Sequence, residues 1–176
     1  MGARVVRFPF DMVENALTQP RRLFGFPHPV DEVSARLVAA GVLLQAVLIV
    51  ATHWWPLYLL LAYGFLARVL TGPRLSPLGL LVTRVVRPRL AVRPRYVPGP
   101  PKRFAQGIGL AFSTLIAIVA LGLDRTAEAD LLLLVLATFA ALEAFLALCV
   151  GCRIHALLAR RGLVRPCPDC EDVGPI

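Results

Sequence analysis

Apolar residues in this chain gather into long uninterrupted runs, not into the alternation of a strand or the one-sided stripe of a soluble helix. The first run covers 37–70. As a single helix it would be about 50 Å long against a hydrocarbon core of about 30 Å, so it is expected to fold back on itself. His53-Trp54-Trp55-Pro56 lies near its middle. Proline removes a helical donor and tryptophan favours the headgroup level, which predicts a tight hairpin of two short spans. A re-entrant hairpin is the alternative, because each arm is slightly short for a full crossing. Two later runs are each close to the ~20 residues a bilayer requires. The reading is an all-α membrane protein, a bundle of about four transmembrane helices with spans near 36–53, 56–71, 104–123 and 129–150.

The polar intervals complete the layout. Residues 1–33 form an N-terminal segment, 34–158 the membrane domain and 159–176 a tail. Residues 1–30 mix Arg, Asp and Glu with Pro and Gly and lack the apolar core of a secretory signal, so the first span is expected to act as its own insertion signal. In the long loop 72–103, Ser76-Pro77 is a cap and first-turn pair, and Leu78, Leu81, Val82, Val85 and Val86 recur at near-helical spacing. That pattern predicts a short helix at the membrane interface. From Arg93 to Pro101 the chain is expected to be extended, with its arginines near anionic lipid.

Composition supports a lipid environment: 57% of residues are hydrophobic and mean hydropathy is +0.70. The net charge of +8 does not point to nucleic acid. Arg74, Arg84, Arg87, Arg89, Arg93, Arg95, Lys102 and Arg103 crowd 71–103 without one acidic residue, whereas 124–130 carries Asp124, Glu128 and Asp130 against Arg125 alone. The positive-inside rule then predicts a multi-pass protein of the inner (plasma) membrane with the basic loop and both termini in the cytoplasm.

Four cysteines carry the chemical reading: Cys149 and Cys152 in one CxxC, Cys167 and Cys170 in another. In a reducing compartment a permanent disulfide is disfavoured, which leaves reversible thiol chemistry or metal binding. As thiols, one pair would react and the other receive electrons or sulfur. As ligands, all four would hold a structural zinc, with Cys149 and Cys152 set towards the C-terminal end of the fourth span. His155, three residues past Cys152, would share its face or sit solvated at the interface. His28 and His53 have no evident partner. Inside the fourth span Glu143 is costly to bury and is expected to face the bundle, with Gln45, Tyr63, Arg68 and Gln106 as candidate partners. A small transporter using Glu143 is a third reading, although the spans offer little other polar lining. Ala105, Gly107, Gly109 and Ala111, with Ala140, Ala144, Ala147 and Gly151, predict close helix contacts.

Ser76-Pro77-Leu78, Pro101-Lys102-Arg103-Phe104-Ala105-Gln106 and Cys149-Val150-Gly151-Cys152, followed by the paired cysteines of the tail, resemble the DUF4395 membrane proteins of bacteria, common in actinobacteria. The likeness runs from about Val30 onward. It implies thiol or sulfane-sulfur chemistry at the inner membrane face, with Cys149, Cys152, Cys167 and Cys170 as the reacting residues and a thioredoxin-like or rhodanese-like soluble protein as partner. Lys102 and Arg103 are read as headgroup anchors for the third span.

Overall fold

The computed structural model describes residue 26 and residues 29–164. Cys167, Cys170 and most of the N-terminal segment lie outside the described residues, as does His28.

Helix α1 (Glu32–Thr52) starts where Asp31 caps it, the carboxylate accepting from Val33 N at 3.3 Å and Ser34 Oγ at 2.7 Å. Glu32 in the first turn faces the positive end of the helix dipole. The helix stops at His53, which is left-handed (φ 47) and returns its N–H to Ile49 O. Helix α2 (Trp55–Thr71) begins immediately, with Pro56 in the first turn where its missing N–H costs no bond. The expected hairpin is therefore present, with Trp54 and Trp55 exposed at its tip.

After a 3₁₀ turn (Gly72–Arg74), Ser76 caps the short helix α3 (Pro77–Leu81) by accepting from Gly79 N. A wider turn (Val82–Val86) and a final turn (Arg87–Arg89) continue it. Strand β1 (Val30–Asp31) pairs antiparallel with β2 (Tyr96–Val97), Val30 opposite Val97 and Asp31 opposite Tyr96. Two arginines of the loop are thereby placed on protein carboxylates: Arg87 Nε lies 2.6 Å from Asp31 and Arg95 Nε 3.3 Å from Glu32. The extended stretch is also shorter than expected. Gly99, Pro100 and Pro101 form the first turn of helix α4 (Gly99–Ala117), because proline there forfeits no helical donor bond. A wider turn (Ile118–Gly122) prolongs α4, and helix α5 (Thr126–Leu146) returns.

These four long helices are long and apolar enough to cross a membrane. Helix α1 packs on α5 and α2 on α4, with the α1–α2 and α4–α5 contacts closing the ring. Ile49, Leu61, Phe65, Ile116, Leu133 and Leu136 fill its centre. Outward faces are as apolar as inward ones: Leu44, Leu131, Leu134 and Phe145 are all well exposed, as expected of helices whose outer solvent is lipid. Close approach supplies the packing, and at Gly109 an added Cβ would run into the Phe65 ring. Two span hydroxyls return to the preceding turn, Thr71 Oγ1 to Ala67 O and Thr138 Oγ1 to Leu134 O at 2.8 Å each, which spares those donors an unpaired exposure to hydrocarbon. His53, without a partner in the sequence reading, lies 3.1 Å from Asp130 and ties the hairpin to α5.

The Asp31–Arg87 clamp makes a pH prediction. Burial raises the Asp31 pKa, but the Arg87 and Ser34 hydrogen bonds and the Arg87 charge outweigh it and hold the carboxyl below its ordinary value. A depressed folded-state pKa contributes stability above the unfolded value, lost as pH falls through the folded one. Hydrogen exchange at Glu32, whose N–H donates to Arg95 O at 2.7 Å, is expected to accelerate below the ordinary aspartate range. In Asp31→Asn that acid dependence should be absent.

Candidate thiol site at the basic end of the bundle

The fourth long helix ends earlier than the apolar run suggests. At Ala147 the backbone turns left-handed (φ 55), Leu148 N bonds Leu142 O at 3.1 Å, and helix α6 (Val150–Arg160) starts afresh. Arg36 of α1 fixes the stop: its Nε donates to Ala144 O at 3.0 Å and its Nη2 to Phe145 O at 3.2 Å, occupying carbonyls that a terminating helix leaves open. The consequence for the cysteines reverses the sequence reading. Cys149 is the N-cap of α6, not a residue near the C-terminal end of the fourth span, and its Sγ accepts from Cys152 N at 3.4 Å.

Helix α6 lies against α4. At Gly151 an added Cβ would sit 2.6 Å from Ala105 Cβ and 2.7 Å from Ala105 Cα, so a side chain at this position would push the helices apart. His155 is buried, not solvated, with its ring edge-on to Phe104 at 5.4 Å. It shares a helix with Cys152 but its recorded contact is aromatic.

Charged groups converge beside the thiols. Lys102, in the first turn and a half of α4, places Nζ 2.5 Å from Glu143 Oε1, and both side chains are largely buried. Arg68, 5% exposed, donates from Nε to Gln106 Oε1 at 2.9 Å and from Nη1 to Ser76 Oγ at 3.3 Å, with its guanidinium 4.3 Å over the Phe65 ring. Of the partners expected for Glu143, Gln45 instead donates to Leu57 O and Tyr63 to Leu75 O. Arg68 and Gln106 bond each other next to the carboxylate, while the ion partner is Lys102, read from sequence as a lipid anchor. With that salt bridge, burial of Glu143 needs no hydrated path.

Cys149 and Cys152 are unequal. The hydrogen bond from the Cys152 thiol, together with Lys102 and the Cys152 N–H, lowers the Cys149 pKa against the opposing effects of burial and Glu143. The same hydrogen bond, with burial and the Cys149 charge, pushes the Cys152 thiol far up. The two shifts make Cys149 the more acidic sulfur and Cys152 its hydrogen-bond donor, in the direction that a helix N-terminus and a nearby cation favour. Both thiols are free. Among the described residues no three His, Cys, Asp or Glu side chains form a metal-sized group; the zinc reading needs Cys167 and Cys170, which lie outside them.

A cavity of about 80 Å³ enters the bundle from this cluster. Cys149, Glu143, Arg68 and Gln106 border it, and deeper walls include Phe65 and Phe112. The three motifs singled out in the sequence meet here: Ser76 holds Arg68, Lys102 and Gln106 hold Glu143 and Arg68, and Gly151 seats the cysteine turn on Ala105.

A family model described as a domain of unknown function, DUF4395, matches residues 30–160. That interval includes β1, all four long helices and α6, hence Cys149 and Cys152 with their charged neighbours, and stops short of Cys167 and Cys170. No curated protein and no solved structure matches the chain.

Proposed function

The chain belongs to the DUF4395 family, and from that premise we propose that it performs reversible thiol chemistry at the membrane surface, with Cys149 as nucleophile and Cys152 as resolving thiol. The observation that carries this reading is the position of Cys149 at the start of α6, accepting hydrogen bonds from Cys152 and lying in the field of Lys102. Charge balance supports it as well. Lys102 and Arg68 bring two buried cations against the single carboxylate of Glu143, so one thiolate makes the cluster neutral.

The reaction is an exchange of two electrons and two protons. Cys149 thiolate attacks one sulfur of a partner disulfide, forming a mixed disulfide and expelling the partner's other sulfur as a thiolate that takes up a proton. Cys152 then loses its proton and attacks Cys149 Sγ. A Cys149–Cys152 disulfide forms and the partner leaves as a dithiol. A sulfane sulfur would be accepted by the same first attack. The basic loop and the thiols share one end of the bundle, so the positive-inside rule assigns this end to the cytoplasm and the partner is a soluble, thioredoxin-like or rhodanese-like protein. Cys167 and Cys170, following α6 in the chain, are the second pair proposed to exchange with the first.

Alkylation kinetics test the reading. In a Cys167→Ser/Cys170→Ser background, the rate of Cys149 carboxamidomethylation against pH should give a midpoint below the ordinary thiol value of about 8.5. Lys102→Met should move the midpoint upward. A Cys149 midpoint at or above the ordinary value, unmoved by Lys102→Met, would count against a reactive thiolate.

A further inference from the structure

A thiol pair that turns over needs a second redox partner, and Cys149 faces two media. One side is the aqueous end of the bundle; the other is the cavity among α1, α2, α4 and α5. That cavity has the composition of an organic-ligand site, mostly apolar with a few placed polar groups. The polar groups on its wall are Arg68, Gln106, Glu143 and Cys149: Glu143 is paired with Lys102, Arg68 and Gln106 are hydrogen-bonded to each other, and Arg68 is a buried cation whose hydrogen bonds go to a neutral amide and a neutral hydroxyl. A fixed guanidinium in such a place stabilises an oxygen on which negative charge develops. An electron acceptor with an apolar body, soluble in hydrocarbon and carrying its electrons on carbonyl oxygen, meets each of these requirements.

Resting on the thiol reading above, we propose that the cavity beside Cys149 admits the head of a membrane quinone, which oxidises the Cys149–Cys152 dithiol. The volume bears on how it enters. About 80 Å³ is roughly half of a cavity known to hold benzene, so the carbonyl-bearing edge of the ring enters while the remaining ring and tail lie between helices. Cys149 thiolate adds to the quinone ring, and Cys152, losing its proton, attacks Cys149 Sγ and expels the ring with its electron pair. Two protons complete the quinol. The balance is dithiol plus quinone giving disulfide plus quinol, two electrons and two protons passing from sulfur to oxygen. Arg68 is a positioning residue for the carbonyl, and Ala35 of α1 lines the cavity without belonging to the thiol pair or its counter-ions.

The test uses reduced full-length protein with Cys167→Ser and Cys170→Ser in phosphatidylcholine vesicles, with a decyl-tailed benzoquinone as probe. Quinone absorbance and free thiols are followed together. The expected result is loss of two thiols for each quinone reduced, abolished by Cys149→Ser. Ala35→Leu and Arg68→Gln should each slow it about tenfold or more, while Ala35→Leu exchanges with a soluble disulfide at the unmodified rate. Quinone reduction indifferent to both substitutions, a stable thioether adduct in place of a disulfide, or no quinone reduction by protein that still exchanges with soluble disulfides would each overturn the quinone site and leave the thiol reading standing. Failure of both reactions would overturn both.

Discussion

Lys102→Met is expected to destabilise the bundle by about 3–5 kcal/mol, the range found when one partner of a buried ion pair is removed. Glu143 would then sit among α1, α2 and α4 with its nearest cation gone, and Lys102 is the partner whose Nζ it meets at 2.5 Å. The reciprocal change should cost less. In Glu143→Leu the lysine retains a long aliphatic stem at the start of α4 and can turn its ammonium towards the headgroups, whereas a carboxylate on a short stem has no comparable escape. Replacing both, as Lys102→Met/Glu143→Leu, should recover most of the loss, because two packed apolar side chains of similar volume often equal or exceed a buried pair. Unfolding in mixed detergent micelles, compared across the four proteins as a double-mutant cycle, measures each value. A Lys102→Met protein as stable as the unmodified chain would mean that the pair is solvated and has no part in holding α4 to α5.

The second large effect is kinetic. With Cys152→Ser the attacking sulfur remains and the resolving one is lost, so incubation with an oxidised soluble thioredoxin-type disulfide should accumulate a mixed disulfide at Cys149. With Cys149→Ser little mixed disulfide should form, because the attacking sulfur at the start of α6 is gone and burial still raises the Cys152 pKa. Non-reducing electrophoresis and peptide mass identify the linked residue. Trapping through Cys152 in the Cys149→Ser protein would invert the assigned roles.

Much of the architecture was legible because it rests on local signals. His53-Trp54-Trp55-Pro56 carries its turn in four residues, and Ser76 caps α3 through the nearby Gly79 N–H. Even where the start of α4 was misread, the signal was local: Gly99-Pro100-Pro101 fits a first turn as well as an extended strand, and proline at N1 favours the helix. What the sequence withheld are contacts between distant segments. Nothing near Leu146 announces that α5 stops there; the arginine occupying its last carbonyls is 108 positions away from the nearer of them. Without that stop, Cys149 reads as the end of one helix and not the beginning of another, and the sign of the dipole acting on its sulfur is reversed. The partner of Glu143 was hidden for the same reason. Lys102 is 41 residues distant and carries an adequate lipid-anchoring role of its own, so only the packing of α4 on α5 distinguishes the two.

Those distant contacts also explain why the cysteine turn contains glycine. Seated against Ala105, Gly151 lets α6 cross α4 at close range, and that crossing brings the sulfurs into the field of Lys102. The cluster of buried charge, the helix start and the cavity form one arrangement at one end of the bundle, separate from the His53–Asp130 contact at the other.

A redox titration of the Cys167→Ser/Cys170→Ser protein tests the central claim most directly. Equilibrated across a series of thiol–disulfide buffers and quenched by acid and alkylation, it should convert cooperatively and reversibly between a form with two alkylated cysteines and one with a Cys149–Cys152 disulfide. Two cysteines alkylated at every potential, or single irreversible adducts in place of the intramolecular disulfide, would contradict it.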